Sequence, residues 1–115
     1  MSTEVLNKAN EALVKIKADY EKNGVTEKTV AALREIRLYY RDVVVNPMLT
    51  KMCRLLADHF EAYGKFDLDI SDEEEGDVIE GDTFVYLLEI MQDPDNKYNY
   101  DEIQAFKQLL IDARD

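Results

Sequence analysis

The chain contains few of the residue types on which many small proteins depend. It has one cysteine, one histidine, four glycines, two prolines and no tryptophan in 115 residues. One cysteine cannot form an internal disulfide, which excludes a disulfide-stabilised scaffold. The low glycine and proline content, together with 46% hydrophobic residues, argues against a disordered or collagen-like chain. This length is typical of one domain, and we expect a single helical domain over residues 1–115.

Long apolar runs are also missing, since no run of valine, leucine or isoleucine exceeds three residues, the length of the run at 43–45. A membrane-spanning helix needs about 20 consecutive apolar residues, so the sequence predicts no membrane crossing. The N-terminal stretch is charged and amphipathic and lacks the apolar region of a signal peptide. Together with the unpaired cysteine, this favours a cytoplasmic location.

Residues for the common catalytic mechanisms are scarce. His59 is the only histidine, and Cys53 lies about 120° around a helix from it, so the two are not expected to pair as base and nucleophile. A zinc site normally uses several cysteine and histidine ligands. The four glycines stand singly and cannot form a phosphate-binding loop. We therefore expect neither an enzyme nor a bound metal or cofactor.

Charge of one sign dominates the C-terminal part of the chain. The formal net charge is -11, but residues 1–66 carry a small positive excess and residues 67–115 carry 16 acidic against 3 basic side chains. Residues 67–82 alone hold nine carboxylates and no lysine or arginine. This field disfavours direct contact with nucleic acid or an anionic membrane and attracts basic partners or cations.

Apolar residues recur at helical spacing in most of the chain. Asn23-Gly24, Asn46-Pro47, Gly64 and the stretch 93–96 supply stop signals between the periodic segments. The pattern predicts an all-α compact bundle of four to five helices, at residues 4–21, 26–45, 47–63, 83–92 and a last segment capped by Asn99. The break at Asn46 could instead be a kink in one long helix.

The apolar residues that share one face of each predicted helix indicate which side chains form the core of this bundle. The predicted core residues are Leu13, Ile16, Leu33, Ile36, Leu56, Phe60, Leu87, Leu88, Phe106 and Leu110. The second segment is expected to bury Val43 and Val44 as well. Between the third and fourth helices, residues 65–82 lose the helical period and form either an acidic loop or a small β-hairpin, with Phe66 docked on the bundle.

Two surface patterns are candidate binding sites. Arg34, Arg37 and Arg41 stand at helical spacing and form a basic stripe that suits an anion, an acidic partner or the chain's own acidic segment. Tyr39, Tyr98 and Tyr100 are predicted to be exposed, the last two beside a turn, and exposed tyrosine is enriched at protein interfaces.

The main functional hypothesis is a small intracellular, non-enzymatic protein-interaction module, acting as a regulator or inhibitor. It would bind a basic protein, one that itself binds nucleic acid fitting best, through its acidic C-terminal half. The predicted contact residues are Glu73, Glu74, Glu75, Asp93, Asp95, Tyr98, Tyr100 and Asp101. The alternative is a helical bundle that binds a small ligand or a cation at the arginine stripe or at residues 67–82. Both hypotheses allow the chain to form a homo-oligomer.

Overall fold

The computed structural model describes residues 3–71 and 78–114, and in this part the chain forms five α-helices. They are α1 (Thr3–Asn23), α2 (Glu27–Tyr39), α3 (Pro47–Tyr63), α4 (Thr83–Ile90) and α5 (Lys97–Ala113), and a π-helical turn at Tyr40–Val44 extends α2. The prediction of a compact all-α bundle is therefore confirmed. Residues 66–71 and 78–82 contain no strand, so of the two alternatives for this connection the described residues favour the loop.

Three of the helices start at a side-chain cap. Thr26 caps α2, Asn46 caps α3 and Asp82 caps α4, each with a side-chain oxygen that accepts a backbone N–H of the first turn. Pro47 then occupies the first position of α3, where its missing N–H costs nothing. Because the backbone is extended at Asn46 and left-handed at Val45, the junction is a true break, and the kinked-helix alternative is wrong.

The fifth helix begins three residues earlier than the sequence indicated. Asn96, not Asn99, is its cap, and the Asn96 Oδ1 accepts the N–H groups of Tyr98 and Asn99 at 3.0 and 3.2 Å. The Asn99 side chain instead donates to the Asp93 carbonyl at 3.1 Å. The prediction that Asn99 caps the last helix is therefore wrong, because the cap lies one residue before Lys97, at Asn96.

The end of α2 also departs from the regular α-helix. In the π-helical turn each hydrogen bond spans one extra residue, and the Val45 N–H bonds to the Tyr40 carbonyl. The extra residue rotates the helix face, so Val44 is buried but Val43 is 48% exposed, and its predicted burial is wrong. Val45 ends the turn with a φ of 57°, a left-handed conformation that is strained for a β-branched residue.

Hydrogen bonds between helices define how they are arranged. The Tyr39 hydroxyl donates to the Val5 carbonyl, so the end of α2 lies beside the start of α1 and the two helices are antiparallel. The most extensive interface joins α2 to α3. The Tyr63 hydroxyl donates to the Ala113 carbonyl, which brings the C-terminal ends of α3 and α5 together. Helix α4 lies against both α1 and α5.

All ten predicted core residues are buried. Phe66, from the segment that follows α3, closes one end of the core, where its ring lies 5.7 Å from that of Phe84 and 5.9 Å from that of Phe106. Leu68 and Ile70 also pack against the core. The predicted docking of Phe66 is confirmed, and it fixes where the acidic segment leaves the bundle.

Candidate functional site

The predicted contact residues that the structure describes are all exposed, and they belong to the surface of the α4–α5 turn and the first turns of α5. We call this the acidic surface, and it comprises Asp93, Asp95, Tyr98, Tyr100 and Asp101. Tyr98 is 78% and Tyr100 46% exposed, as predicted, and both lie in the first turn of α5, directly after the turn at residues 93–96. Glu73, Glu74 and Glu75 lie outside the described residues.

A groove connects this surface to the two ends of the acidic segment. The groove has a volume of about 680 Å³ and is lined by Ile70, Ser71, Val78, Ile79, Glu80, Tyr86, Tyr98, Asp101 and Glu102. The Ile79 N–H donates to the Ser71 hydroxyl at 2.8 Å, which joins the two ends of the acidic segment where they line the groove. Three carboxylates, two tyrosine rings and several aliphatic side chains thus line one concave site.

Two other tyrosines, one in the groove and one between α1 and α2, have structural partners. The Tyr86 hydroxyl donates to the Glu102 carboxylate at 2.6 Å and joins α4 to α5 along the groove. Tyr39 was expected to be an exposed contact residue, but its ring packs on the core between α1 and α2 and its hydroxyl bonds to the backbone. The prediction for Tyr39 is wrong because the neighbouring helix α1 covers that face of α2.

The basic stripe is divided between different partners. Arg34 forms ion pairs with Asp58 at 3.2 Å and Glu61 at 2.9 Å, both on α3. Arg41 pairs with its sequence neighbour Asp42 at 2.8 Å, and this pairing holds the pKa of the Asp42 carboxyl below its usual value. Neither arginine reaches the described parts of residues 67–82, so pairing with the chain's own acidic segment is not seen in residues 67–71 or 78–82.

Arg37 and Arg41 instead belong to a cavity of about 400 Å³ between the end of α2 and the start of α3. We call it the elbow cavity, and its lining consists of Arg37, Arg41, Val45, Asn46, Pro47, Thr50, Lys51 and Arg54. Half of these residues are cationic and none is acidic. Lys51 and Arg54 come from α3, a contribution that the stripe on α2 did not indicate.

The reactive side chains of the chain are enclosed in the bundle. Cys53 is fully buried, and burial raises the pKa of its thiol to about 12. The neighbouring Tyr40 is also fully buried, which raises the pKa of its hydroxyl far above the usual range. A thiol and a phenol in this environment stay protonated at neutral pH and have no access to a solute.

His59 lies within the aromatic cluster of the core. It is 4% exposed, and its ring lies 4.8 Å from that of Tyr63 and 6.1 Å from that of Phe66. Neither ring nitrogen has a hydrogen-bond partner among the described residues. Burial lowers the pKa of His59 below its ordinary value of 6.5, although the nearby carboxylate of Asp67 opposes part of this effect.

We expect His59 to make the fold less stable as the pH falls below about 6.5. The unfolded chain binds a proton at His59 near that pH, whereas the folded chain resists it, so acidification favours unfolding until the lower folded pKa is reached. The stability contribution is therefore present above pH 6.5 and lost below it. Urea unfolding at pH 7.5 and pH 5.5 measures this loss. His59→Leu and His59→Gln should both lose less stability than the wild type over this interval, and an equal loss would contradict the prediction.

Comparisons with known proteins supply no further constraint on the site. No family model, no curated protein and no solved structure was found to match the chain. Within residues 3–71 and 78–114, no group of three or more metal-binding side chains is arranged to hold an ion. None of the helices described above combines the length and the apolar content that crossing a membrane would require.

Proposed function

We propose that this chain is a small, non-enzymatic protein-interaction module that binds a basic protein through the acidic surface and the adjoining groove. The observation that carries the proposal is the groove itself, because it joins Tyr98 and Asp101 to Glu80 in one concave site. Carboxylates provide long-range attraction for a basic surface, and exposed tyrosine provides apolar contact with little loss of side-chain entropy. The groove can thus both attract and hold a partner.

The kind of partner follows from the charge. Sixteen acidic side chains stand against three basic ones in residues 67–115, so a lysine- or arginine-rich protein is favoured over nucleic acid. A partner that itself binds nucleic acid fits best, since the acidic surface would cover the basic face with which that partner holds nucleic acid. The module would then act in the cytoplasm as a regulator or an inhibitor of that partner.

The proposal is tested by comparing the proteins that wild type and variants retain at low salt. Asp95→Asn with Asp101→Asn removes two charges from the acidic surface, and Tyr98→Ala with Tyr100→Ala removes its aromatic contacts. Both pairs should lose the same basic partner, by about tenfold or more in affinity, as expected when central contacts of an interface are removed. High salt should weaken the wild-type complex in the same way.

A matched control keeps the test specific. Glu11→Gln with Glu35→Gln removes two exposed charges beside a different groove, between α1 and α2, and should leave binding unchanged. If this control lost as much affinity for the partner, net charge alone would explain the effect of the acidic-surface variants. Retention of the partner by both acidic-surface variants would overturn the proposal.

A further inference from the structure

A second surface of the molecule has the opposite charge and a different shape. The elbow cavity brings Arg37 and Arg41 from the end of α2 together with Lys51 and Arg54 from α3. Four cations around one concavity repel each other, and in a chain of net charge -11 this concentration runs against the overall composition. Such an arrangement is stabilised when an anion occupies it.

Of the four cations of the cavity, only Arg41 has an anionic partner among the described residues. Arg37, Lys51 and Arg54 form no ion pair with any residue in the described part of the chain. The Arg37 Nε is buried and has no hydrogen-bond acceptor there. By contrast, the groove between α1 and α2 mixes lysines with Glu11, Asp19 and Glu35, so its charges compensate each other.

The backbone at the elbow holds the cationic side chains in place. The π-helical turn and the left-handed Val45 set the angle between α2 and α3, and the Asn46 N–H bonds to the Tyr40 carbonyl at 2.9 Å. Helix α3 starts in the cavity wall at Pro47, so its dipole adds positive potential there. The Leu49 N–H already donates to the Asn46 side chain, so this backbone group is not free for a ligand, and the basic side chains must recognise it.

We propose that the elbow cavity binds a small phosphorylated molecule, whose phosphate group lies between Arg37, Lys51 and Arg54. Arginine forms paired hydrogen bonds with two oxygens of one phosphate, and a phosphate monoester carries up to two negative charges to balance several cations. A volume of about 400 Å³ lies within the range of small-molecule sites. A long nucleic acid is disfavoured because the acidic half of the chain would repel it.

Asp42 is a built-in competitor for this ligand. Its carboxylate accepts two hydrogen bonds from the Arg41 guanidinium, at 2.8 and 3.1 Å, and occupies the donors that Arg41 would otherwise offer to a phosphate. Removal of this carboxylate should therefore strengthen binding. Asp42→Asn keeps the size of the side chain and removes its charge.

The test uses inorganic phosphate, pyrophosphate and glycerol phosphate as probes, titrated into the full chain at constant ionic strength and followed by backbone amide shifts. Saturable shifts at residues 45–54 are expected, because the ligand lies against this segment. Tighter binding of glycerol phosphate than of inorganic phosphate would identify an ester as the ligand, and the reverse order would identify the free anion. Both results support a phosphate site.

Variants decide whether these residues form the site. Lys51→Gln with Arg54→Gln changes two exposed side chains and should weaken binding by about tenfold or more, since charge-assisted hydrogen bonds are lost. Lys15→Gln with Lys28→Gln makes the same change of net charge away from the cavity and should have little effect. Asp42→Asn should tighten binding by a few-fold, with Glu35→Gln as its control.

Several results would overturn the proposal. The absence of saturable shifts with all three probes at millimolar concentration would do so, as would shifts spread evenly over the chain. An equal loss in both lysine-containing pairs would show that only net charge matters. Tighter binding of a single-stranded oligonucleotide at residues 45–54 than of any small probe would replace the small molecule by nucleic acid.

Discussion

Replacement of Phe60 by alanine is expected to lower the free energy of unfolding by about 3–5 kcal/mol, the largest effect that we predict for a single substitution. Phe60 is only 3% exposed, and its ring meets that of Phe84 edge-to-face at 5.0 Å and lies 6.2 Å from that of Phe66. Truncation leaves a cavity where α3, α4 and the segment after α3 meet. These elements cannot move closer to fill it without breaking the other aromatic contacts.

Urea unfolding followed by circular dichroism measures this loss as a lower midpoint with an unchanged slope. Tyr98→Ala is the matched control, because it truncates an aromatic side chain that is 78% exposed, and it should change stability by about 0.5 kcal/mol or less. A loss below about 1 kcal/mol for Phe60→Ala would contradict a tightly packed core at this position.

The core was predictable from the sequence because apolar residues at helical spacing share one face of an amphipathic helix, and that face is the one that becomes buried. Leu33 and Ile36 of α2 and Tyr40 at the start of the π-helical turn recur at this spacing, and all three are buried. The stops at Gly24 and Gly64 were predictable for a related reason. Both residues have positive φ, at 71° and 69°, and glycine adopts this conformation without steric cost.

The local departures from regular helix were not predictable. The π-helical turn inserts one residue after Tyr39, and no residue type in that stretch specifies it, so the faces of Val43 and Val44 could not be told apart. Asn96 and Asn99 are equally good capping residues by type. The choice of Asn96 depends on the turn before it, whose backbone places the Asn96 side chain over the helix start.

The two candidate sites also differ in how far the sequence could predict them. Asp95, Tyr98 and Asp101 are neighbours in sequence, so their proximity in the structure followed from the order of the residues alone. The elbow cavity required the fold, because Lys51 and Arg54 approach Arg37 only through the sharp turn at Val45. Sequence reasoning grouped Arg34 with the other arginines of α2, whereas the structure pairs it with Asp58 and Glu61.

Replacement of Asp82 by alanine is expected to lower the free energy of unfolding by about 2 kcal/mol. One carboxylate oxygen accepts the N–H groups of Phe84 and Val85 at 2.8 and 3.2 Å, and the other accepts the Tyr20 hydroxyl at 2.6 Å. The substitution removes the cap of α4 and a bond between α1 and α4 together. It also removes a negative charge from the positive end of a helix dipole.

Two further variants separate these contributions in the same urea experiment. Asp82→Asn keeps one acceptor oxygen, which can still cap α4, and should lose less stability than the alanine variant. Tyr20→Phe removes only the contact with α1 and should cost about 1 kcal/mol. Burial and the bond to Asp82 raise the pKa of Tyr20 to about 12, so its hydroxyl keeps the proton that it donates throughout the neutral range.

The double variant Tyr20→Phe with Asp82→Ala shows whether the two residues act as a pair. If they do, its loss is smaller than the sum of the two single losses, because the bond between them can be broken only once. Strict additivity would mean that Asp82 acts only as a helix cap. A loss below about 0.5 kcal/mol for Asp82→Ala would mean that the apolar residues of α4 alone hold it in place and that the cap contributes nothing to stability.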